Sequence, residues 1–337
     1  EAGTITYGGS CSSSTTSAIS GNNTITLTSL SYGTYSDCTI IVKDSAGNVS
    51  NTLAITSFAV SSSYVAVGAS GTILTSSDGT SWTPMTSSTS FKLNSVIYEN
   101  NSYILTGDSG TILSSQYGKT WTSKVSGNSS DLESITYANN VYVVVGDAGG
   151  VDVVLTSPYG NSWTVRGTGL TNPAYGVSYG NSLFVMVAGQ GNIYSSDDGT
   201  SWTSRTSGTS NNLNGITYGN SMFIAVGDSG TILNSSNGTS WDNSTSGISS
   251  SLKGITYGNS IFVAVGASGS ILTSSNGSSW SSRTSGTTNG LNGVNYGNSI
   301  YIAVGDSGTI LTSSDGTSWT VQTSATSENL YAVTYKE

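Results

Sequence analysis

From about residue 58 onwards, short apolar runs and polar breaks follow one another in a fixed order. The stretch from 252 to 283 shows the unit. It reads Leu252-Lys253-Gly254-Ile255-Thr256-Tyr257, Ile261-Phe262-Val263-Ala264-Val265, Ser270-Ile271-Leu272-Thr273-Ser274 and Ser279-Trp280-Ser281-Ser282-Arg283. Runs this short, rich in Val, Ile, Tyr and Thr and split by Gly, Asn and Ser, predict four strands of an antiparallel sheet. The breaks Gly258-Asn259 and Gly266-Ala267-Ser268-Gly269 supply residues that accept positive φ in tight hairpins. No stretch carries the period of a long amphipathic helix.

The unit recurs with Trp at 82, 121, 163, 202, 241, 280 and 319, which uses all seven tryptophans, at spacings of 39 residues and once 42. Four short strands per unit of about 40 residues predict the blades of a β-propeller. Tyr ends the first run at 98, 137, 179, 218, 257, 296 and 335. The last copy, Leu330-Tyr331-Ala332-Val333-Thr334-Tyr335, follows the last Trp and has no unit after it, whereas the segment before Trp82 reads Ser57-Phe58-Ala59-Val60 and lacks the Tyr. Ring closure resolves both: residues 330–335 supply the innermost strand of the blade carrying Trp82. The expectation is an all-β fold, a seven-bladed β-propeller over 58–337 closed by the C-terminal strand, with a smaller module over 1–57.

The turn between third and fourth strands resembles the Asp-box, or BNR repeat, with Ser195-Ser196-Asp197-Asp198-Gly199-Thr200-Ser201-Trp202 the closest copy. Elsewhere the Asp position holds Ser77, Gln116, Pro158, Ser236, Ser275 and Ser314, and an acid or amide often stands one place later, as at Asp78, Asn237, Asn276 and Asp315. The Gly three residues before Trp serves the turn, and Trp buries a large surface. Together with the hairpin Val304-Gly305-Asp306-Ser307-Gly308-Thr309-Ile310-Leu311, this turn is similar to the repeats of photosystem II assembly-factor-like propellers. The resemblance implies a fold; Asp-box turns are structural and occur in proteins of unrelated function.

Residues 1–57 stand outside the repeat. Gly3–Tyr7, Asn23–Leu27, Cys38–Asp44 and Asn51–Thr56 alternate apolar and polar residues as half-buried strands do. Gly33-Thr34-Tyr35-Ser36-Asp37-Cys38-Thr39-Ile40-Ile41-Val42-Lys43-Asp44-Ser45-Ala46-Gly47-Asn48-Val49-Ser50 resembles the penultimate strand and turn of bacterial Ig-like domains, which are common as modules of secreted and cell-surface proteins. That resemblance implies a β-sandwich, here incomplete: four or five strands are legible where such a sandwich has seven or more. Trimming or a minimal variant accounts for the shortfall; the sharper alternative is a groove filled by a strand from a neighbouring subunit. Cys11 and Cys38 are the only cysteines. Paired, they close a loop of about 27 residues; the alternative is two buried free thiols. Their common place in one small β-module favours the disulfide, and with it an oxidising, extracellular or cell-surface location.

The composition narrows the chemistry. Nine basic residues stand against eighteen acidic ones, for a net charge of −9, so there is no electrostatic footprint for nucleic acid. No apolar run is long enough to span a membrane. The chain begins Glu1-Ala2-Gly3, which reads as a processed product or an excised fragment. Histidine is absent, which removes His-based triads, His metal sites and imidazole shuttles.

Three constellations of side chains bear on possible chemistry. Arg166, Arg205 and Arg283, with Lys124 in the same slot, each lie three residues after a Trp. A sialidase-like glycosidase needs converging arginines, and equivalent places on outer strands are spread around the rim, so that reading is rejected in favour of edge charges. The hairpin carboxylates Asp108, Asp147, Asp228 and Asp306 recur one per blade, too far apart to share a Ca²⁺ ion, and read as turn formers. Blade three alone breaks the symmetry: Gly146-Asp147-Ala148-Gly149-Gly150-Val151-Asp152-Val153-Val154-Leu155 carries three additional residues. Asp147, Asp152 and nearby Tyr159 are therefore the candidate binding residues. Small residues (Ser95, Ser134, Gly176, Gly215, Gly254, Gly293, Ala332) recur on the innermost strands, leaving no charged cluster in the channel. Tyr117, Tyr159 and Tyr175 are candidates to stack on sugars.

The functional expectation is a non-catalytic secreted or cell-surface protein, its propeller an adhesion or display platform. Its partners are further copies of itself (an oligomer or filament), a surface protein or a glycan, and it requires no cofactor or metal. A carbohydrate-binding lectin is the alternative; a glycosidase fits the residue inventory least.

Overall fold

The computed structural model describes all residues except 1, 29–32, 61–63, 167–169 and 337. The chain divides into two compact units, Glu1–Ser62 and Ser63–Glu337. The division falls beyond the expected 57/58 boundary because Phe58–Val60 pairs antiparallel with Gly33–Tyr35. Tyr35 and Phe58 stack there at 5.5 Å.

In the larger unit the described residues form seven four-stranded antiparallel sheets. They are numbered here as blades one to seven by their Trp residues. Blade four is representative: Ala174–Gly180, Leu183–Ala188, Ile193–Ser196 and Thr203–Arg205, from the innermost strand outwards. Blade one takes its innermost strand from the C-terminus. Leu330–Tyr335 pairs antiparallel with Tyr64–Gly68, with Tyr335 opposite Tyr64 and Val333 opposite Ala66. The fold is an all-β propeller.

Burial explains the pattern of the repeat. In blade one the second and third strands, Tyr64–Gly68 and Ile73–Ser76, are buried at every position, and those of the other blades are buried at nearly all. Their alternate residues face different neighbours. Val65, Val67 and Ile73 pack on Leu93, Tyr103 and Leu105 of blade two, while Tyr64, Ala66 and Leu74 pack on Ile302, Val304 and Ile310 of blade seven. A strand covered on both faces has no polar side, which is why these runs read as continuously apolar. Seven such clusters, one between each pair of neighbouring blades, make up the core. The fourth strands are exposed, short and polar, which suits an edge.

The Tyr ending each inner strand lies opposite an aromatic residue of the second strand. Tyr98 meets Tyr103 at 4.7 Å and Tyr257 meets Phe262 at 4.7 Å. In the third-to-fourth turns a Ser hydroxyl accepts from the Gly amide, as Ser196 Oγ does from Gly199 N at 2.8 Å, and an acid or amide accepts from the next two amides. Asp78, Asp198, Asn237, Asn276 and Asp315 all play this part. The indoles of Trp82, Trp280 and Trp319 donate to the turn glycine's carbonyl, whereas those of Trp121, Trp163, Trp202 and Trp241 are packed without a partner.

The N-terminal unit holds a four-stranded sheet ordered Ser17–Ala18, Gly3–Gly8, Thr39–Asp44, Leu53–Ala54. Residues 23–27, expected as a strand, join no ladder: Ser13 Oγ donates to the Thr26 carbonyl and Thr28 N to the Ser12 carbonyl. Polar side chains that bond nearby backbone compete there with sheet pairing. Cys11 and Cys38 form a disulfide, both buried. Among the described residues, no helix is long and apolar enough to cross a membrane.

Candidate functional site

Every inner strand of blades two to seven, and the closing strand of blade one, contains the same irregularity. The register slips between Leu93 and Ser95, Leu132 and Ser134, Ala174 and Gly176, Leu213 and Gly215, Leu252 and Gly254, Leu291 and Gly293, and Leu330 and Ala332. The residue between each pair is a β-bulge, which bends the strand and re-aims a side chain. Around the ring these are Tyr331, Asn94, Glu133, Tyr175, Asn214, Lys253 and Asn292. All seven line one axial cavity of about 210 Å³, to which every innermost strand contributes.

At four of the seven bulges the residue that follows is Gly, and at two of these the neighbouring backbone leaves no room for a side chain. A Cβ on Gly293 would lie 2.5 Å from the Tyr331 carbonyl oxygen, and one on Gly215 2.8 Å from that of Lys253. The scaffold positions thus repeat while the bulged side chains do not: three amides, two phenols, one carboxylate and one ammonium share equivalent places.

Their setting is acidic. Asn94, Asn214 and Asn292 donate Nδ2 to Asp108, Asp228 and Asp306 at 3.0, 3.0 and 2.9 Å. Lys92 Nζ lies 4.0 Å from Asp108 and 5.0 Å from the centre of the Tyr331 ring. Burial raises the pKa of the half-buried Glu133 carboxyl; Lys92 opposes this, and Asp108, Asp131 and Asp147 reinforce it. Burial likewise raises Tyr175, with Asp147, Glu133 and Asp228 adding to the effect.

This corrects the expectation of an uncharged channel. Glu133 and Lys253 both line it, because the bulge turns inward a residue that simple alternation sends elsewhere. The usable signal was the variety at this one position, set between a near-constant Leu and a small residue.

The other candidates lie elsewhere. Asp147 and Asp152 pair across the blade-three hairpin, where Gly149 and Gly150 take positive φ and Gly150 N donates to Asp147 Oδ1 at 2.6 Å. Tyr159, 81% exposed, follows the far end of the strand Asp152–Ser157, so it does not join them. The intervening strand separates the two ends of the blade. Asp108, Asp228 and Asp306 serve the asparagines described above. Arg166, Arg205 and Arg283 each bond a hydroxyl of their own blade, at Thr156, Ser195 and Thr273, all at 2.8 Å. Among the described residues, no three His, Cys, Asp or Glu side chains are placed to share a metal ion.

Residues 124–248 match a family profile described as the DUF6242 beta propeller domain. Among curated proteins there is no match. The similar solved structures are of low identity. YCF48 bound to D1 peptide is 19% identical with a TM-score of 0.55, covering 68% of this chain and 80% of that one. YCF48 from Cyanidioschyzon merolae is 17% identical with a TM-score of 0.56, covering 71% and 88%. The computationally designed Ika8 protein is 16% identical with a TM-score of 0.61, covering 83% and 89%. At these identities the likeness concerns the fold.

Proposed function

We propose that this protein is a non-catalytic interaction platform whose propeller takes a peptide segment of a partner protein at the channel mouth. The observation carrying the reading is the bulged ring, where side-chain chemistry varies from blade to blade on an otherwise repeating scaffold around one cavity. Specificity on a rigid scaffold resides where the scaffold is free to vary. The similar structure of YCF48 with a D1 peptide supports a peptide as the kind of partner. The test is selection of displayed peptides on the intact chain and on a variant carrying Glu133→Ala, Tyr175→Ala and Lys253→Ala. Peptides that enrich only on the intact chain support the reading; binders indifferent to all three changes remove it.

The finer picture extends this. The disulfide supports an extracellular or cell-surface location, with the N-terminal unit as an Ig-like carrier module. Exposed Ile19, Val49 and Leu53 on that unit support contact with another copy or a surface protein, including filament assembly. Electron micrographs showing only single particles would remove the filament version. A lectin role is favoured by one separate feature: a hydroxyl-rich cleft of about 710 Å³ lined by Thr209, Asn211, Thr231 and Ser246, with a counterpart of about 510 Å³ at Thr72, Ser87 and Thr89. A glycan array without hits would discard it.

A further inference from the structure

The three bulged asparagines are locked in one way. Besides its aspartate, each Nδ2 reaches a carbonyl of the next blade: Asn94 to Leu132 at 3.2 Å, Asn214 to Leu252 at 2.9 Å and Asn292 to Leu330 at 2.9 Å. With both amide protons engaged, each side chain has only its carbonyl oxygen to offer. In one copy that oxygen is occupied: Lys253 Nζ, from the preceding blade, donates to Asn292 Oδ1 at 2.7 Å. At Asn94 the corresponding residue of the preceding blade is Tyr331, which carries no ammonium. Asn94 is 7% exposed, and its Oδ1 accepts no hydrogen bond. An acceptor buried without a donor destabilises the site, and a ligand supplying the donor removes that cost.

The surroundings select the donor's charge. Glu133 stands on the next blade and Asp108 lies behind the amide; the chain's own Lys92 ammonium, over the Tyr331 ring and 4.0 Å from Asp108, offsets one of these two carboxylates and leaves the other in excess. Aromatic faces and carboxylates together favour a cation.

We propose that the Tyr331–Asn94–Glu133 side of the channel mouth binds a cationic nitrogen, the ammonium or guanidinium of a Lys or Arg side chain in an incoming peptide. The ligand stands to Asn94 Oδ1 as Lys253 stands to Asn292 Oδ1. The proposal rests on the peptide-platform reading and adds the charge of the residue that enters.

Calorimetric titration of the full chain with acetylated, amidated peptides Gly-Ser-X-Ser-Gly tests it, with X as Arg, Lys, citrulline or Glu. Arg and Lys peptides are expected to bind about tenfold or more tightly than the citrulline peptide, which keeps the shape of Arg without its charge, and to weaken with added salt. Glu133→Gln weakens the Arg peptide about tenfold, whereas Lys253→Gln, removing a like charge, tightens it about two- to fivefold. Near-UV circular dichroism confirms that both variants keep the native fold. Equal binding of Arg and citrulline peptides, preference for the Glu peptide, or a folded Glu133→Gln variant that binds like wild type overturns the inference. Neutral or acidic peptides that still depend on the ring would leave the platform reading standing; no binding by any peptide removes both. Butylammonium or spermidine binding as tightly as the Arg peptide would show a site for free amines and overturn the peptide source.

Discussion

Tyr64 Oη donates to the carbonyl oxygen of Gly297 at 2.9 Å, tying blade one to blade seven across 233 residues of sequence. The same bond joins Tyr301 to Gly258 and, at 3.4 Å, Tyr142 to Glu99. Burial raises the Tyr64 hydroxyl to about 12, with Tyr335 contributing next, so the phenol stays a donor at physiological pH. Blades four to six carry Phe184, Phe223 and Phe262 in this place. Tyr64→Phe is therefore expected to keep the fold and lose about 0.5–1.5 kcal/mol in urea denaturation.

Gly297 offers a sharper test of the closed ring. A Cβ there would lie 2.2 Å from the Tyr335 ring, which belongs to the closing strand. Gly297→Ala is expected to cost about 1–3 kcal/mol through overpacking, more than Tyr64→Phe. A Tyr335→Gly background removes both the ring and the Tyr335 Cβ, which lies 2.4 Å from the same point, so a Gly297→Ala penalty persisting undiminished in it would refute the contact.

The closed ring was legible because repetition multiplies a weak strand signal by seven. A surplus inner strand at Leu330–Tyr335 and a missing one before Tyr64 admit few arrangements. The channel mouth was not legible for a reason equally physical. A bulge is a register slip, and period-two reading has no way to place Glu133 or Lys253 after one. Tyr159 was grouped with Asp152 by proximity in sequence, although a six-residue strand carries them to opposite ends.

The Asp turns predict an acid dependence. Thr200, through its side chain, and the Ser201 and Thr200 amides hold the Asp198 carboxyl well below its usual range; at Asp315 the Ser318 amide leads, followed by Thr317. A depressed folded pKa stabilises the protein above the ordinary value of 3.8, and that stability is lost as pH falls toward the folded value. Asn237 and Asn276 already build the same turn without a charge. The Asp198→Asn, Asp315→Asn double variant should therefore fold normally and lose a few tenths of a kcal/mol per turn at neutral pH, since both groups are exposed to solvent. Thermal melts between pH 2 and 7 should show a shallower acid decline than wild type.

The disulfide predicts a change confined to one unit. Cys11 and Cys38 are 27 residues apart, so the bridge contributes about 3.5 kcal/mol in the loop-entropy account. Under a phosphine reductant, calorimetry should show the transition of the N-terminal unit at lower temperature and that of the propeller unchanged. A shift of both transitions would mean that the units unfold together.

Glu133 supplies the last prediction, independent of any ligand. A carboxyl whose folded pKa is raised favours the native state when protonated, and that contribution is lost as pH rises through the folded value. At neutral pH the ionised group thus opposes folding. Glu133→Gln should raise the melting temperature by roughly 1–2 °C at pH 7 and leave it unchanged near pH 3. A gain from so conservative a change would mean that the native carboxylate is held against the interest of stability, as groups at binding sites are. Equal melting temperatures at pH 7 would instead make Glu133 an ordinary solvated acid and withdraw this support from the channel mouth.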